Sequence, residues 1–328
     1  MSRRALTIAV AALTASLPFP MMMRTVLAAD AVSDEARGQE WWAHVKVLAD
    51  DSMRGRLTGS PEYLKAAGYV VEQFKSDGLQ PAGLNGGFYQ PVHFDVQRVI
   101  AEKSSLALEQ NGKNAPLELG KDAVLAARST QLANVDAPLV FVGYGLHLPE
   151  SGYDDFDSKE FPRASLRGKI VVVINGGPAD LPGPLKSYAR TSPMTKAISD
   201  AGVLGVISIP TPKSMDFGWD RIASGASQPG MSLAAQLDDD AVAAKHPALA
   251  DEHHARFSAT FNPAEAEKLF AGTGHTFAEM LALADAQKPL PRFDLHKNLR
   301  AQIAVERSSV VSPNLVAKLE GADPKLRN

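Results

Sequence analysis

Lys169-Ile170-Val171-Val172-Val173-Ile174-Asn175-Gly176-Gly177 and Val203-Leu204-Gly205-Val206-Ile207-Ser208-Ile209 decide the fold. Each holds an unbroken apolar run of strand length, rich in β-branched residues. Strands covered on both faces read this way, as in a parallel sheet. Between them Ser192 to Ala201 has helical spacing, and Gly202 follows where a left-handed residue ends a helix. Upstream, Leu139-Val140-Phe141-Val142 is a further apolar strand closed by Gly143-Tyr144-Gly145. Strand, helix and strand joined by short glycine turns predict a parallel βαβ element in an α/β protein.

Outward from this unit the pattern changes. Ala36 to Leu48 predicts an amphipathic helix carrying Trp41, Trp42, Val45 and Leu48. Asp50 to Gly59 breaks it. Ser60 is placed to cap a second helix, with Pro61 in its first turn, Ala66, Tyr69, Val70 and Phe74 as its stripe, and Gly78 at its end. Tyr89 to about Leu125 is strand-like, and Pro210 to Gly230 reads as loop. Pro263 to Asp285 is helical with a break at Gly272-Thr273-Gly274. Phe293 to Val305 and Asn314 to Leu319 read as strands. There is no internal repeat and no heptad.

The 328 residues are 45% hydrophobic and 22% charged, which is globular composition and room for about two domains. A net charge of −3 argues against a nucleic-acid binder working through a basic face. The absence of Cys excludes disulfide scaffolds, thiolate metal sites and cysteine nucleophiles. Residues 1–28 read as a signal peptide. Arg3 and Arg4 precede an apolar stretch from Ala5 to Phe19, and Val26-Leu27-Ala28 supplies a cleavage site. Ser2-Arg3-Arg4-Ala5-Leu6 loosely resembles a twin-arginine signal, with Leu6 where Phe is commoner, and ordinary secretion is the preferred route. The segment holds three Arg and no acidic residue, so the remainder is a more acidic, exported, periplasmic or extracellular protein without a later membrane-spanning stretch.

No local motif completes a catalytic constellation. His93-Phe94-Asp95 could share a strand face for zinc, but reads more simply as a polar strand edge. His253-His254 reads as solvated loop. Asp154-Asp155-Phe156-Asp157 opens like a calcium loop, yet Lys159 and Glu160 stand where an oxygen ligand and a glycine belong, so it too reads as a solvated acidic loop. Asp238-Asp239-Asp240 is a surface charge run. Gly143-x-Gly145 lacks the third glycine of a dinucleotide loop, and Gly168-Lys169 lacks the Ser or Thr of a P-loop.

Three segments together carry a resemblance. The first is Leu48-Ala49-Asp50-Asp51-Ser52-Met53-Arg54-Gly55-Arg56-Leu57-Thr58-Gly59-Ser60, followed by the Ala66 to Leu79 helix and Gly83 to Val92. The second is Val140 to Gly145, then Tyr153-Asp154-Asp155-Phe156, then Leu166 to Val173. The third is Ser312 to Gly321. Together they resemble exported bacterial zinc aminopeptidases of the leucyl-aminopeptidase and glutamate-carboxypeptidase superfamily, in the branch with an inserted protease-associated domain.

The resemblance implies a doubly wound α/β peptidase domain interrupted by a β-rich protease-associated domain. Two zinc ions in the full-length family would be held by His and carboxylates, with a Glu activating the bridging water for attack on peptide substrates. It divides this chain into a signal peptide at 1–28, peptidase domain at 29–134, protease-associated domain at 135–262 and a return into the peptidase domain at 263–328. The strand delivering the first zinc ligands would lie beyond Asn328. There is no Glu-Glu pair, and the eight His are scattered. The expectation is therefore an N-terminal portion with no catalytic or metal residue and no zinc of its own. Arg54, Arg56, Thr58, Gly59 and Ser60 would border the substrate cleft or serve only as a structural loop. Asn314 to Leu319 would be left as an unpaired edge. The alternative is an exported, non-catalytic protease-associated module that binds peptides or a partner.

Overall fold

Four parallel strands carry the apolar runs. The structure is a computed structural model that describes residues 33–127, 131–159, 161–234 and 255–323. The signal-peptide expectation, His246, His253, His254, Glu160 and Asp238 to Asp240 lie outside the described residues. The chain divides into two compact units, residues 1–55 and 56–328.

In the first unit α1 (Asp34–Leu48) starts at Ser33, whose side chain accepts from the Ala36 N–H at 3.2 Å. The helix forms as expected, but no residue on it is buried, and Trp41 and Trp42 are 64% and 50% exposed. Its apolar side chains are dispersed around the axis among charged ones, so they make no single stripe to bury.

The second unit opens with α2 (Pro61–Ser76), capped by Ser60 Oγ accepting from the Tyr63 N–H at 3.0 Å. The strands are β1 (Gln80–Pro81), β2 (Tyr89–Val99), β3 (Ser105–Gln110), β4 (Lys113–Leu117), β5 (Ala123–Leu125), β6 (Asn134–Phe141), β7 (His147–Leu148), β8 (Tyr153–Asp154), β9 (Ile170–Ile174), β10 (Gly205–Ile209), β11 (Gly230–Leu233), β12 (Phe257–Phe261), β13 (Phe293–Gln302), β14 (Val305–Leu315) and β15 (Ala317–Lys318). Eight of them form one sheet in the order β4-β3-β13-β6-β9-β10-β12-β5. Its centre is parallel: β6, β9, β10 and β12 run together, while β13 and β5 flank them antiparallel. All five residues of β9 are buried, as its continuous apolar run requires. Helices α3 (Gly183–Ala189) and α4 (Ser192–Ala201) make the crossover from β9 to β10. The fold class is thus α/β, with the mixed eight-stranded sheet at its centre.

This sheet draws strands from both sides of residues 135–262: β3, β4 and β5 come from before that stretch and β13 from after it. A second sheet, β11-β2-β14, stands apart from it. Here two expectations are corrected. Asn314 and Leu315 are not an unpaired edge, because β14 pairs with β2 along its whole length, from Val305↔Val99 to Leu315↔Tyr89, and β15 pairs with β1. His93 and Asp95 are not at a strand edge either, because β2 is the central strand, flanked by β11 and β14. The stretch from Pro210 to Gly230 is not all loop: it contains α5 (Trp219–Gly225), and the Trp219 indole donates to the Gly120 carbonyl at 2.7 Å.

Candidate functional site

Open α/β sheets place their crevices beyond the carboxyl ends of the parallel strands. Here β9 ends at Ile174 and β10 at Ile209, and a cleft of about 520 Å3 opens beyond them. Its floor is the Asn175-Gly176-Gly177 turn. Lys186 of α3 and Arg190 just after it form one wall, and Thr211, Lys213, Ser214, Asp285 and Gln287 face them. Glycine is required in the floor. Gly176 has φ +150°, and a Cβ there would lie 3.0 Å from the Tyr144 ring, while a Cβ on Gly177 would come within 2.9 Å of the Lys186 side chain.

Arg190 is half-buried and fixes the floor. It donates to Asn175 Oδ1 and the Gly176 carbonyl, each at 2.8 Å. Burial lowers its guanidinium below the ordinary value, yet an arginine stays charged. Thr211 and Ser214 cap each other reciprocally, which holds the opposite rim. Lys213 pairs with Asp285 at 3.4 Å.

Beneath the Gly143-Tyr144-Gly145 turn lies a buried carboxylate. Asp155 Oδ2 accepts from the Leu146 N–H at 3.0 Å, and Arg292 approaches Oδ1 at 3.4 Å. Desolvation pushes the Asp155 carboxyl up to about 6, against the Leu146 amide and the Arg292 charge, which oppose the shift. Burial likewise raises the Tyr144 phenol to about 12 and the Tyr153 phenol well above its usual range. Its neighbour Asp154 receives Arg163 at 2.6 Å and lies 3.0 Å from His147. The reading of Asp154 to Asp157 as a solvated acidic loop is therefore corrected: Asp155 is buried against the Leu146 N–H and Arg292, and Asp154 is held by Arg163.

Of the loop named in the sequence, Arg54 belongs to the first unit, and Arg56, Thr58, Gly59 and Ser60 begin the second. Arg54 and Arg56 are exposed and sit at φ +43° and +52°. Thr58, Gly59 and Ser60 are half-buried. A Cβ on Gly59 would collide with the Val310 side chain on β14, so glycine lets this turn lie against the strand. The Tyr63 hydroxyl donates to the Pro313 carbonyl at 2.6 Å, tying the start of α2 to the same strand. Gly59 and Ser60 are thus placed against β14, and none of the five loop residues lines the strand-end cleft. Among the described residues, no three His, Asp or Glu come together as a metal site.

No protein-family model matches this sequence, and a search of curated proteins finds no match. Solved structures do resemble it. A zinc aminopeptidase from Bacillus subtilis matches with a TM-score of 0.34 and 15% identity, over 88% of this chain and 48% of that one. A peptidase M28 precursor from Shewanella amazonensis SB2B matches with a TM-score of 0.36 and 13% identity, over 88% and 55%. A subtilisin-like protease from Pseudoalteromonas sp. AS-11 matches with 0.25 and 12%, over 65% and 36%. The chain spans about half the length of the first two.

The cleft residues Lys186, Arg190 and Lys213 escaped the sequence reading. Their signal was faint. Lys186 and Arg190 are four apart, the spacing of helical neighbours, in the segment that follows the Gly176-Gly177 turn after β9.

Proposed function

We propose that this chain is the N-terminal portion of a zinc-dependent exopeptidase, an aminopeptidase that removes N-terminal residues from peptides, interrupted by a protease-associated domain. The observation that carries the reading is the pairing of β2 with β14. It joins the first and third resembling segments, as Tyr89, Gln90, Pro91 and Val92 face Leu315, Asn314, Pro313 and Ser312. The β2 strand ends at Val99 and its partner β14 begins at Val305, with the Ile100 N–H donating to the Ala304 carbonyl at 2.9 Å where the two ends meet; between them the chain returns to this sheet only in β11 (Gly230–Leu233), on the other side of β2. Apart from β11, the stretch between is an insertion in topological terms. The second resembling segment supplies β6, β8 and β9 inside it.

The protease-associated domain, expected at 135–262, is on this reading the whole unit built on the eight-stranded sheet. Residues 29–134 and 263–328 contribute its outer strands as well as the peptidase portion. The loop residues Arg54, Arg56, Thr58, Gly59 and Ser60, of which Gly59 lies against β14, border the peptide cleft of the complete enzyme. Export after removal of residues 1–28 fits the reading, and no described helix is long and apolar enough to cross a membrane.

The residues present do not fit the family's two zinc ions. His93 and Asp95 share a face of β2, but no third ligand joins them among the described residues. No hydrolytic step is assigned to this chain. The second reading, a non-catalytic module that binds a peptide or a partner, is favoured by the cationic cleft.

The test is hydrolysis of a chromogenic leucine anilide by the chain without residues 1–28, with and without added zinc, beside calorimetric zinc titration. The expected result is no turnover and no stoichiometric zinc. Chelator-sensitive turnover with two tightly bound zinc ions would overturn the assignment and make His93 and Asp95 the first residues to replace.

A further inference from the structure

The cleft beyond β9 and β10 has an electrostatic imbalance that nothing else in the fold explains. Three cations line it, and Asp285 is its only acidic side chain among the described residues. That acid is taken by Lys213. Arg190 hydrogen-bonds only to neutral acceptors, and the buried Asp155 acts on it through charge alone. Lys186 lies along Gly177 with no partner for its ammonium among the described residues. The Gly176 and Gly177 N–H groups, on the same floor, likewise have no acceptor among the described residues. The carbonyl of Gly176 accepts from Arg190, which fixes the Gly176–Gly177 peptide plane.

Two unpaired donors of the main chain beside an unpaired ammonium form a preorganised site for an oxyanion. The surroundings make the site selective, since the protein as a whole is acidic and only a local cation excess would draw an anion in. At about 520 Å3 the cleft is larger than a bare inorganic ion needs and lies in the range of small organic ligands.

We propose that this cleft binds the carboxylate of a short peptide, seated on Lys186 and the Gly176-Gly177 amides. The oxyanion chemistry stands on the cleft alone. The choice of a peptide as its source rests on the peptidase reading above.

The test is calorimetric titration of the chain without residues 1–28 with three probes: acetyl-trialanine with a free carboxylate, its C-terminal amide, and inorganic phosphate. The free acid is expected to bind, the amide not to, and inorganic phosphate, an oxyanion without the peptide, more weakly than the acid. Lys186→Gln should weaken the acid by about tenfold or more, since a charge-assisted bond is lost, while Lys186→Arg should retain binding. Lys186 makes no side-chain bond to the rest of the described protein, so both variants should melt like the parent. Equal binding of acid and amide, binding of phosphate alone, an unchanged affinity in Lys186→Gln, or no heat from any probe would each overturn the proposal. None of these outcomes bears on the zinc and anilide test, so the two readings fail separately.

Discussion

Asp155→Ala is expected to lower unfolding free energy by about 1–3 kcal/mol at about pH 4, read from the urea midpoint. Truncation orphans the buried Leu146 N–H, which then has no acceptor among the described residues. Asp155→Asn separates the two contributions. It keeps an acceptor for Leu146 and removes the ionised group, so it should cost much less. The same pair of variants tests the pH dependence. The Asp155 carboxyl is pushed up to about 6 by desolvation, above its unfolded value. The folded state therefore holds this proton more tightly, and the contribution of Asp155 is fully present below about pH 4 and lost as pH rises through about 6. The parent should lose up to about 3 kcal/mol of this contribution between those limits, and Asp155→Asn should lack that component. A slope that is unchanged in Asp155→Asn would contradict the assignment.

Phe257→Ala is expected to cost about 3–5 kcal/mol, the usual range for emptying a buried phenylalanine site. Phe257 is fully buried on β12 and stands in register with Gly205 of β10. Gly205 has no side chain of its own, and a Cβ there would lie 2.7 Å from Phe257 Cβ, so the aromatic residue closes over the glycine. Removing the ring opens the middle of the parallel sheet, where neighbouring strands are held on both edges and cannot collapse inward. The thermal midpoint should fall by about 10 °C. Phe257→Leu should recover most of the loss, because it refills the volume without a polar group. A shift in Phe257→Ala within about 2 °C would show that this part of the sheet is not packed as described.

The parallel centre was legible because burial on both faces leaves a mark in the sequence. Ile170 to Ile174 and Val203 to Ile209 have no polar alternation, and a glycine at 202 must end the helix between them; it does so at φ +65°. Other parts left no such mark. The partners β2 and β14 are separated by more than two hundred residues, and β14, Val-Glu-Arg-Ser-Ser-Val-Val-Ser-Pro-Asn-Leu, carries no regular polar–apolar alternation, so neither their pairing nor their register is written locally. In β13 the register shifts between Asp294 and Asn298, with His296 at φ +53°, a bulge that periodicity cannot express. The burial of Asp155 was hidden for a different reason. Asp-Asp-Phe-Asp has the composition of a solvated loop, and what makes Asp155 structural is the Leu146 amide on the other side of the turn. The cations of the cleft were hidden because they come from the α3 region and from the loop after β10, elements that meet only when the crossover is closed.

The most direct test of the account is the register of β2 on β14, because the insertion and the function read from it both depend on that pairing. The chain has no Cys, so any disulfide introduced is unambiguous. The facing pairs Asp95–Ser309 and Val96–Ser308 are consecutive in the ladder. One of the two must be a non-hydrogen-bonded pair, with Cα atoms about 4.5 Å apart, inside the span a disulfide bridges. Cysteines are placed at each pair in turn, and at the slipped pair Asp95 and Val311, which as a diagonal lies about 7–8 Å apart. After mild oxidation of the folded protein, the expected result is near-complete closure in at least one facing pair and little in the slipped pair. Failure of both facing pairs, or closure of the slipped pair to the same extent, would contradict it.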